Sequence, residues 1–173
     1  MSSLSSTPEK HCCPPGGYFQ AEADRILVLG IGNVLMGDDG LGVHVVRELQ
    51  KVSLPENVDI VDGGTKGIEL VPYCENKKRL IIVDAIDLGR EPGELIVLKG
   101  EHVRRYLGET RCSMHEVGVS DLLSVLALLD IQPGEVLLIG LQPEKIEVGM
   151  DLSKSLQDNL QGIVDTIKDM IHA

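Results

Sequence analysis

Aromatic residues are scarce in this chain of 173 residues, which contains one Phe, three Tyr and no Trp. Its core must therefore be built from aliphatic side chains, and 43% of the residues are hydrophobic. A chain of about 150 residues can bury roughly 68–70% of the surface that it exposes when unfolded. Length and composition together predict one globular domain with one sizeable aliphatic core.

Basic residues are also in deficit, with 16 Lys and Arg against 27 Asp and Glu, which gives a net charge of −11. Nucleic acids and anionic membranes are bound through a concentrated basic face, and no such concentration occurs here. The charge therefore predicts neither nucleic acid nor membrane as a partner. A basic peptide or a metal cation fits this surface better.

Long apolar runs and paired cysteine motifs are absent from the sequence. No stretch reaches 18 apolar residues, so no transmembrane helix is expected. The four cysteines, at positions 12, 13, 74 and 112, show no C-x-x-C spacing, which argues against a disulfide framework or a zinc knuckle. The N-terminus lacks the basic and apolar regions of a secretion signal. We therefore expect a protein of the reducing cytoplasm.

The pattern of apolar residues changes at Arg25. Residues 1–23 are rich in Ser, Pro and Gly and are predicted to form a flexible tail, with the folded domain at 24–173. Short apolar runs predict five strands, at 25–30, 58–62, 79–85, 93–100 and 135–142. Helical spacing predicts helices at 41–52, 67–75, 119–130 and 152–171, although Pro72 weakens the second. Residues 102–107 are too few to assign.

This alternation of strands and helices predicts an α/β fold, a single-domain three-layer sandwich with helices on both faces of a twisted, largely parallel sheet. The third strand is apolar enough to be central, and the fourth is a candidate edge strand. In such sheets, ligands bind at the carboxyl ends of the strands. The residues predicted at or within reach of that edge are Asp38, Asp39, Gly63, Gly64, Thr65, Asp84 and His115.

Two carboxylates and an imidazole, contributed by Asp39, Asp84 and His115, would form a cation site with open coordination positions if they converge. Each residue also has an ordinary interpretation. Asp38 or Asp39 could cap the following helix, Asp84 could be a turn residue, and His115 could lie on the surface. Cys112 close to His115 allows a Cys–His nucleophile as a further alternative.

The G-x-G of Gly30 and Gly32, between a strand and a helix, allows a nucleotide-binding enzyme as a rival. Leu35 occupies the third glycine position of that fingerprint, and Asp38 and Asp39 would oppose a pyrophosphate at the helix N-terminus. Neither a Walker A motif nor a G-x-S-x-G elbow nor an H-E-x-x-H motif occurs. These features disfavour a nucleotide-binding enzyme, which stays a rival hypothesis.

Four motifs in order make the chain similar to the hydrogenase maturation proteases. The first runs from Gly30 to Gly42, and the later three are Asp62-Gly63-Gly64-Thr65, Val83-Asp84-Ala85 and Ser113-Met114-His115-Glu116-Val117-Gly118. The resemblance covers about residues 25–170. It implies an α/β fold and an endopeptidase that removes the C-terminal extension of the nickel–iron hydrogenase large subunit after nickel insertion.

In that family, residues matching Asp39, Asp84 and His115 bind the metal. Some members carry Glu in place of Asp39, and Asp38 is a second candidate for that ligand. The mechanism that we expect uses nickel already held by the substrate, which polarises the scissile carbonyl or activates a water. Gly63, Gly64, Thr65 and Asp38 are candidate substrate-binding residues, although the first three could simply form a tight turn. A monomer is expected. The rival within this pathway is a non-proteolytic nickel-binding chaperone or adaptor.

Overall fold

The computed structural model describes residues 24–109, 116–131 and 133–173. These residues form five strands and five α-helices, with two 3₁₀ turns at Gly37–Gly40 and Gly67–Leu70. The strands are β1 Arg25–Ile31, β2 Val58–Gly64, β3 Lys77–Ala85, β4 Leu95–Lys99 and β5 Glu135–Leu141. The helices are α1 Leu41–Leu49, α2 Val71–Cys74, α3 Glu101–Glu109, α4 Glu116–Leu128 and α5 Lys154–His172.

The strands form one sheet in the order β2-β1-β3-β5-β4. β1 pairs in parallel with β2 and β3, and β3 pairs in parallel with β5. β4 alone is antiparallel, and it forms an edge next to β5. The predicted α/β fold with a largely parallel sheet, a central third strand and an edge position for the fourth is therefore confirmed.

Alternate residues of the central strands point to opposite faces of the sheet, and each face is covered by helices. On β1, Ile26 and Val28 pack with α1 and α5, whereas Leu27 and Leu29 pack with α2, α3 and α4. All four side chains are buried. Continuous apolar strands are what a sheet covered on both faces requires, because neither face has contact with water.

The predicted helix ends differ from the observed ones in a few places. α1 ends at Leu49, so Val52 lies beyond it and is exposed. Pro72 is accommodated because it stands in the first turn of α2, where its missing N–H has no helical partner to lose. Residues 102–107, too few to assign from the sequence, lie in α3. The predicted tail at 1–23 lies outside the described residues.

Gly42 seats the start of α1 directly on the ends of β1 and β3. A Cβ atom at Gly42 would lie 2.2 Å from the carbonyl oxygen of Ile31 and 2.2 Å from that of Val83. Gly30 meets the helix from the other side, because its Cβ would lie 2.2 Å from the Gly42 carbonyl oxygen. Only glycine allows this approach of helix backbone to strand backbone.

We therefore expect Gly42→Ala to lower the free energy of unfolding by about 2 kcal/mol, since a methyl group there overpacks against backbone that cannot turn aside. Gly162→Ala is the matched control, because a Cβ at Gly162, within α5, meets nothing within 4 Å. The control should be neutral or stabilising by up to about 1 kcal/mol, as expected for Gly to Ala in a helix. Urea denaturation of both variants measures the difference. Equal stability of the two variants would contradict the packing argument.

Candidate active site at the carboxyl edge of the sheet

Asp39 and Asp84 are both nearly inaccessible to solvent, at 1% and 6% exposure. Asp39 lies in the 3₁₀ turn that precedes α1, and its Oδ2 accepts a hydrogen bond from the Asn33 N–H at 2.8 Å. Asp84 is the penultimate residue of β3, and its Oδ1 accepts from the Ala85 N–H at 2.8 Å. Burying an ionised carboxylate without hydrogen-bond donors costs free energy. The two N–H donors therefore help to stabilise Asp39 and Asp84 in their buried positions.

The backbone brings these two aspartates to the same edge of the sheet. The 3₁₀ turn containing Asp39 packs against β3. Three residues after Asp39, Gly42 contacts the carbonyl of Val83, the residue before Asp84. Two of the three predicted metal ligands therefore stand on adjoining pieces of backbone. The third, His115, lies outside the described residues.

The Gly63-Gly64-Thr65 segment reaches this edge from β2. The Gly64 carbonyl accepts a hydrogen bond from the Gly32 N–H at 2.9 Å, which ties the end of β2 to the loop after β1. Gly64 has a φ of +50°, in the left-handed region, and the Lys66 N–H closes a turn on the Gly63 carbonyl at 3.1 Å. The segment is thus a tight turn in position at the edge, and its substrate-binding role stays a prediction.

Asp38 points away from Asp39 and binds backbone. Its Oδ2 accepts from the N–H groups of Glu144 and Lys145 at 2.8 and 3.2 Å, and its Oδ1 accepts from the Ser153 N–H at 2.6 Å. One buried carboxylate therefore fixes both ends of the loop between β5 and α5. Neither Asp38 nor Asp39 caps α1, whose N-cap residue is Gly40 without a side-chain bond, so that alternative was wrong.

Gln142, at the carboxyl end of β5, was not predicted from the sequence. Its Oε1 accepts from the N–H groups of Leu88 and Arg90, and its Nε2 donates to Asp87 at 2.8 Å. That bond and one from the Gly89 N–H hold the pKa of Asp87 below its ordinary value. Gln142 thus fixes the loop between β3 and β4. The sequence signal that could have identified Gln142 is its position as a polar residue directly after an apolar strand.

Helical spacing places His44 on the polar stripe of α1 and predicts a solvated side chain, but the structure contradicts this prediction. His44 is half-buried, and its Nε2 is buried with no hydrogen-bond partner. Burial and the neighbouring Arg47 lower its pKa, while Asp151, Glu48 and a hydrogen bond with the Met150 backbone oppose that shift. The loop after β5 folds over this helix face, which a helical wheel does not reveal.

The described thiol, Cys74, is unsuited to nucleophilic attack. It is fully buried, and burial raises its pKa to about 11, so the thiolate is rare at neutral pH. Cys112 lies outside the described residues. A hollow between α3 and α4, lined in part by Val103, Leu107 and Leu123, lies at the amino end of β5 and so opposite the carboxylates. The candidate site is therefore the edge that holds Asp39 and Asp84.

Comparison with known proteins gives the family. The sequence model of the hydrogenase maturation proteases matches residues 43–170. The chain belongs to this family. The matched range includes the positions of Asp84 and His115 and begins four residues after Asp39.

Two curated relatives illustrate the similarity. The hydrogenase expression/formation protein HupD of Bradyrhizobium diazoefficiens is 42% identical over 147 residues, which cover 84% of this chain and 77% of that protein. The hydrogenase 2 maturation protease of Escherichia coli is 37% identical over 145 residues, covering 83% of this chain and 88% of that protein.

Solved structures agree with the fold. The hydrogenase-maturating endopeptidase HybD of Escherichia coli superposes with a TM-score of 0.80 at 34% identity, covering 86% of this chain and 92% of that one. A nickel–iron hydrogenase maturation protease of Thermococcus kodakarensis superposes with a TM-score of 0.73 at 30% identity, covering 85% and 99%. The predicted class, a hydrogenase maturation endopeptidase, is confirmed, and none of these relatives favours an adaptor or a nucleotide-binding enzyme.

The described residues also bear on the predictions about membranes and metal ions. Among the helices of the described residues, none combines the length and the apolar character that a bilayer crossing requires. Within that same part of the chain, no group of three or more His, Cys, Asp and Glu side chains could hold a metal ion. The predicted trio includes His115, which that part does not contain, so its convergence stays a prediction.

We expect Asp38→Asn to loosen the loop between β5 and α5 while leaving the sheet intact. An amide offers one oxygen in place of two and turns an NH₂ group towards a backbone N–H, and hydrogen bonds to charged groups contribute about 1.5–3 kcal/mol each. Amide hydrogen exchange should therefore accelerate in residues 143–153 and remain slow in β1 and β3. Unchanged protection of Glu144, Lys145 and Ser153 would contradict this role.

Proposed function

We propose that this chain hydrolyses one peptide bond in the precursor of a nickel–iron hydrogenase large subunit and removes its C-terminal extension after nickel has been inserted. Family membership supports the protease activity and the class of substrate. The observation that carries the site is the placement of two buried aspartates, Asp39 and Asp84, on adjoining backbone at the carboxyl edge of the sheet.

We assign Asp39, Asp84 and His115 as the residues that grip the nickel carried by the substrate. Carboxylate oxygens and an imidazole nitrogen are donors that suit a divalent nickel ion with open coordination positions. Two ionised carboxylates about 4 Å apart repel each other by roughly 4 kcal/mol at an effective dielectric of 20, and a divalent cation between them reverses that sign. A precursor without nickel would lack this attraction, which explains why processing would wait for insertion.

The role of the protein groups is chiefly to position the substrate. Nickel supplies Lewis acidity to a scissile carbonyl or an attacking water. The carboxylates of Asp39 and Asp84, oriented by the N–H groups of Asn33 and Ala85, fix the metal end of the substrate relative to the edge. The turn at Gly63, Gly64 and Thr65 allows substrate backbone to come close. Water is the proposed nucleophile. Cys74 does not compete with it, because burial keeps this thiol protonated; Cys112 lies outside the described residues and stays an alternative.

The setting that we propose is a monomer in the cytoplasm, with nickel dependence arising from the substrate and not from a resident cofactor. The strongly acidic charge of −11 supports a partner other than nucleic acid or an anionic membrane.

We expect Asp39→Ala, Asp84→Ala and His115→Ala each to lower processing of nickel-loaded precursor by at least about 100-fold, the scale on which groups acting at a reacting centre contribute. Wild-type protein should shorten the nickel-loaded precursor by the mass of a C-terminal peptide and leave the nickel-free precursor intact. Mass spectrometry of the precursor over time measures both effects. Circular dichroism checks that each variant is folded.

Asp169→Ala and His172→Ala are the matched controls, because both side chains are exposed near the end of α5, where the Met170 carbonyl accepts a hydrogen bond from Arg79 at the opposite edge of the sheet. They should process at the wild-type rate. Full activity of Asp39→Ala, Asp84→Ala or His115→Ala would remove that residue from the site. A stable complex of wild-type protein with nickel-loaded precursor, without any loss of mass, would refute the protease and establish the adaptor.

A further inference from the structure

Four large aliphatic side chains stand exposed close to the candidate site. They are Val148 at 86% exposure, Met150 at 67%, Leu35 at 57% and Ile146 at 40%. Three come from the loop between β5 and α5, and Leu35 comes from the loop that leads from β1 to Asp38 and Asp39. Isolated exposed apolar residues are ordinary, but a group of four on adjoining loops marks an interaction site. We call these four residues the apolar patch.

A short backbone bridge joins the two loops of the apolar patch. Met36 and Gly149 form an isolated parallel β-bridge, in which the Gly149 N–H donates to the Leu35 carbonyl at 3.0 Å and the Gly37 N–H donates to the Gly149 carbonyl at 2.8 Å. The residues preceding the two bridge partners, Leu35 and Val148, are therefore neighbours along paired backbone. The patch is continuous with the 3₁₀ turn that carries Asp39.

Backbone hydrogen bonds hold the loop of the patch in place. Asp38 binds the backbone of Glu144, Lys145 and Ser153 at the two ends of the loop, and the bridge from Met36 to Gly149 fixes its middle. Floppy loops can hide apolar side chains by folding inwards, but this loop is fixed with its aliphatic residues outwards. A surface that is organised before binding loses less conformational entropy when a partner docks.

The loop that contributes three residues to the apolar patch is mainly acidic. Between residues 144 and 151 the loop carries Glu144, Glu147 and Asp151 against Lys145 alone, which is 1 − 3 = −2. Lys145 is already paired with Glu147 at 2.5 Å. A partner that covers the aliphatic side chains therefore gains from basic residues beside its own apolar contact.

We propose that the apolar patch docks an apolar segment with a basic flank on the hydrogenase large-subunit precursor. This inference rests on the proposed function, since it assigns that substrate a second point of contact. The carboxylates of Asp39 and Asp84 bind the nickel of the precursor. The apolar patch, formed by Leu35, Ile146, Val148 and Met150, binds the precursor surface next to that nickel site. The patch acts in binding and takes no part in bond cleavage.

The test uses the double variant Val148→Ser/Met150→Ser and the control Leu128→Ser. Leu128 is 82% exposed at the end of α4, away from the carboxyl edge. The Kd for nickel-loaded precursor is measured by biolayer interferometry, and KM and kcat come from the loss of the C-terminal peptide. The double variant should raise Kd and KM by about tenfold, a loss of about 1.4 kcal/mol, with kcat within about twofold of wild type. Wild-type Kd should also rise with salt.

The two proposals fail in different ways in this experiment. If the wild type binds the precursor but never shortens it, the protease proposal fails. The ratio of the double variant's Kd to the wild-type Kd still tests whether the patch is a docking surface. If the double variant binds and processes like the wild type, the patch is not a docking surface. If wild-type protein dimerises and the double variant is monomeric in light scattering with unchanged Kd, the patch joins two copies, and the inference is overturned.

Discussion

The close approach of α1 to the ends of β1 and β3 is the constraint on which the candidate site depends. Because Gly42 has no side chain, helix backbone can touch the carbonyls of Ile31 and Val83. That contact draws the 3₁₀ turn before the helix onto the end of β3. Asp39 and Asp84, 45 positions apart in the chain (84 − 39), reach one edge as a result. The same arrangement puts Asp39 in the turn just before α1, at the positive end of the helix dipole.

Two adjacent aspartates in the 3₁₀ turn have opposite environments. Asp38 turns towards the loop after β5 and binds three backbone N–H groups, whereas Asp39 turns towards Asn33. A 3₁₀ turn sends successive side chains in directions about 120° apart, so neighbours in sequence serve different partners. Asp38 therefore holds the loop after β5 in place. Asp39 lies at the edge of the sheet where the site is proposed.

Much of the fold could be predicted from the sequence because it depends on local patterning. Apolar runs such as Leu27–Leu29 identify buried strands, and their alternation with helices predicts a parallel sheet whose carboxyl edge binds ligands. Residues whose role depends on distant backbone were harder to predict. Gln142 binds a loop more than 50 positions earlier, and His44 is covered by a loop about 106 positions later (150 − 44). Neither contact leaves a periodic signal.

The two proposed contacts, one ionic and one apolar, divide recognition in a physically useful way. Coordination of nickel acts over a short range and depends on whether the metal is present. It cannot distinguish one nickel protein from another. A fixed apolar surface next to it responds to the shape of the precursor and is indifferent to the metal. Because Asp38 lies next to Asp39 in the chain and holds the loop of Val148 and Met150, the two contacts have a fixed separation. A substrate must satisfy both at once, so the rigid spacing itself contributes to specificity.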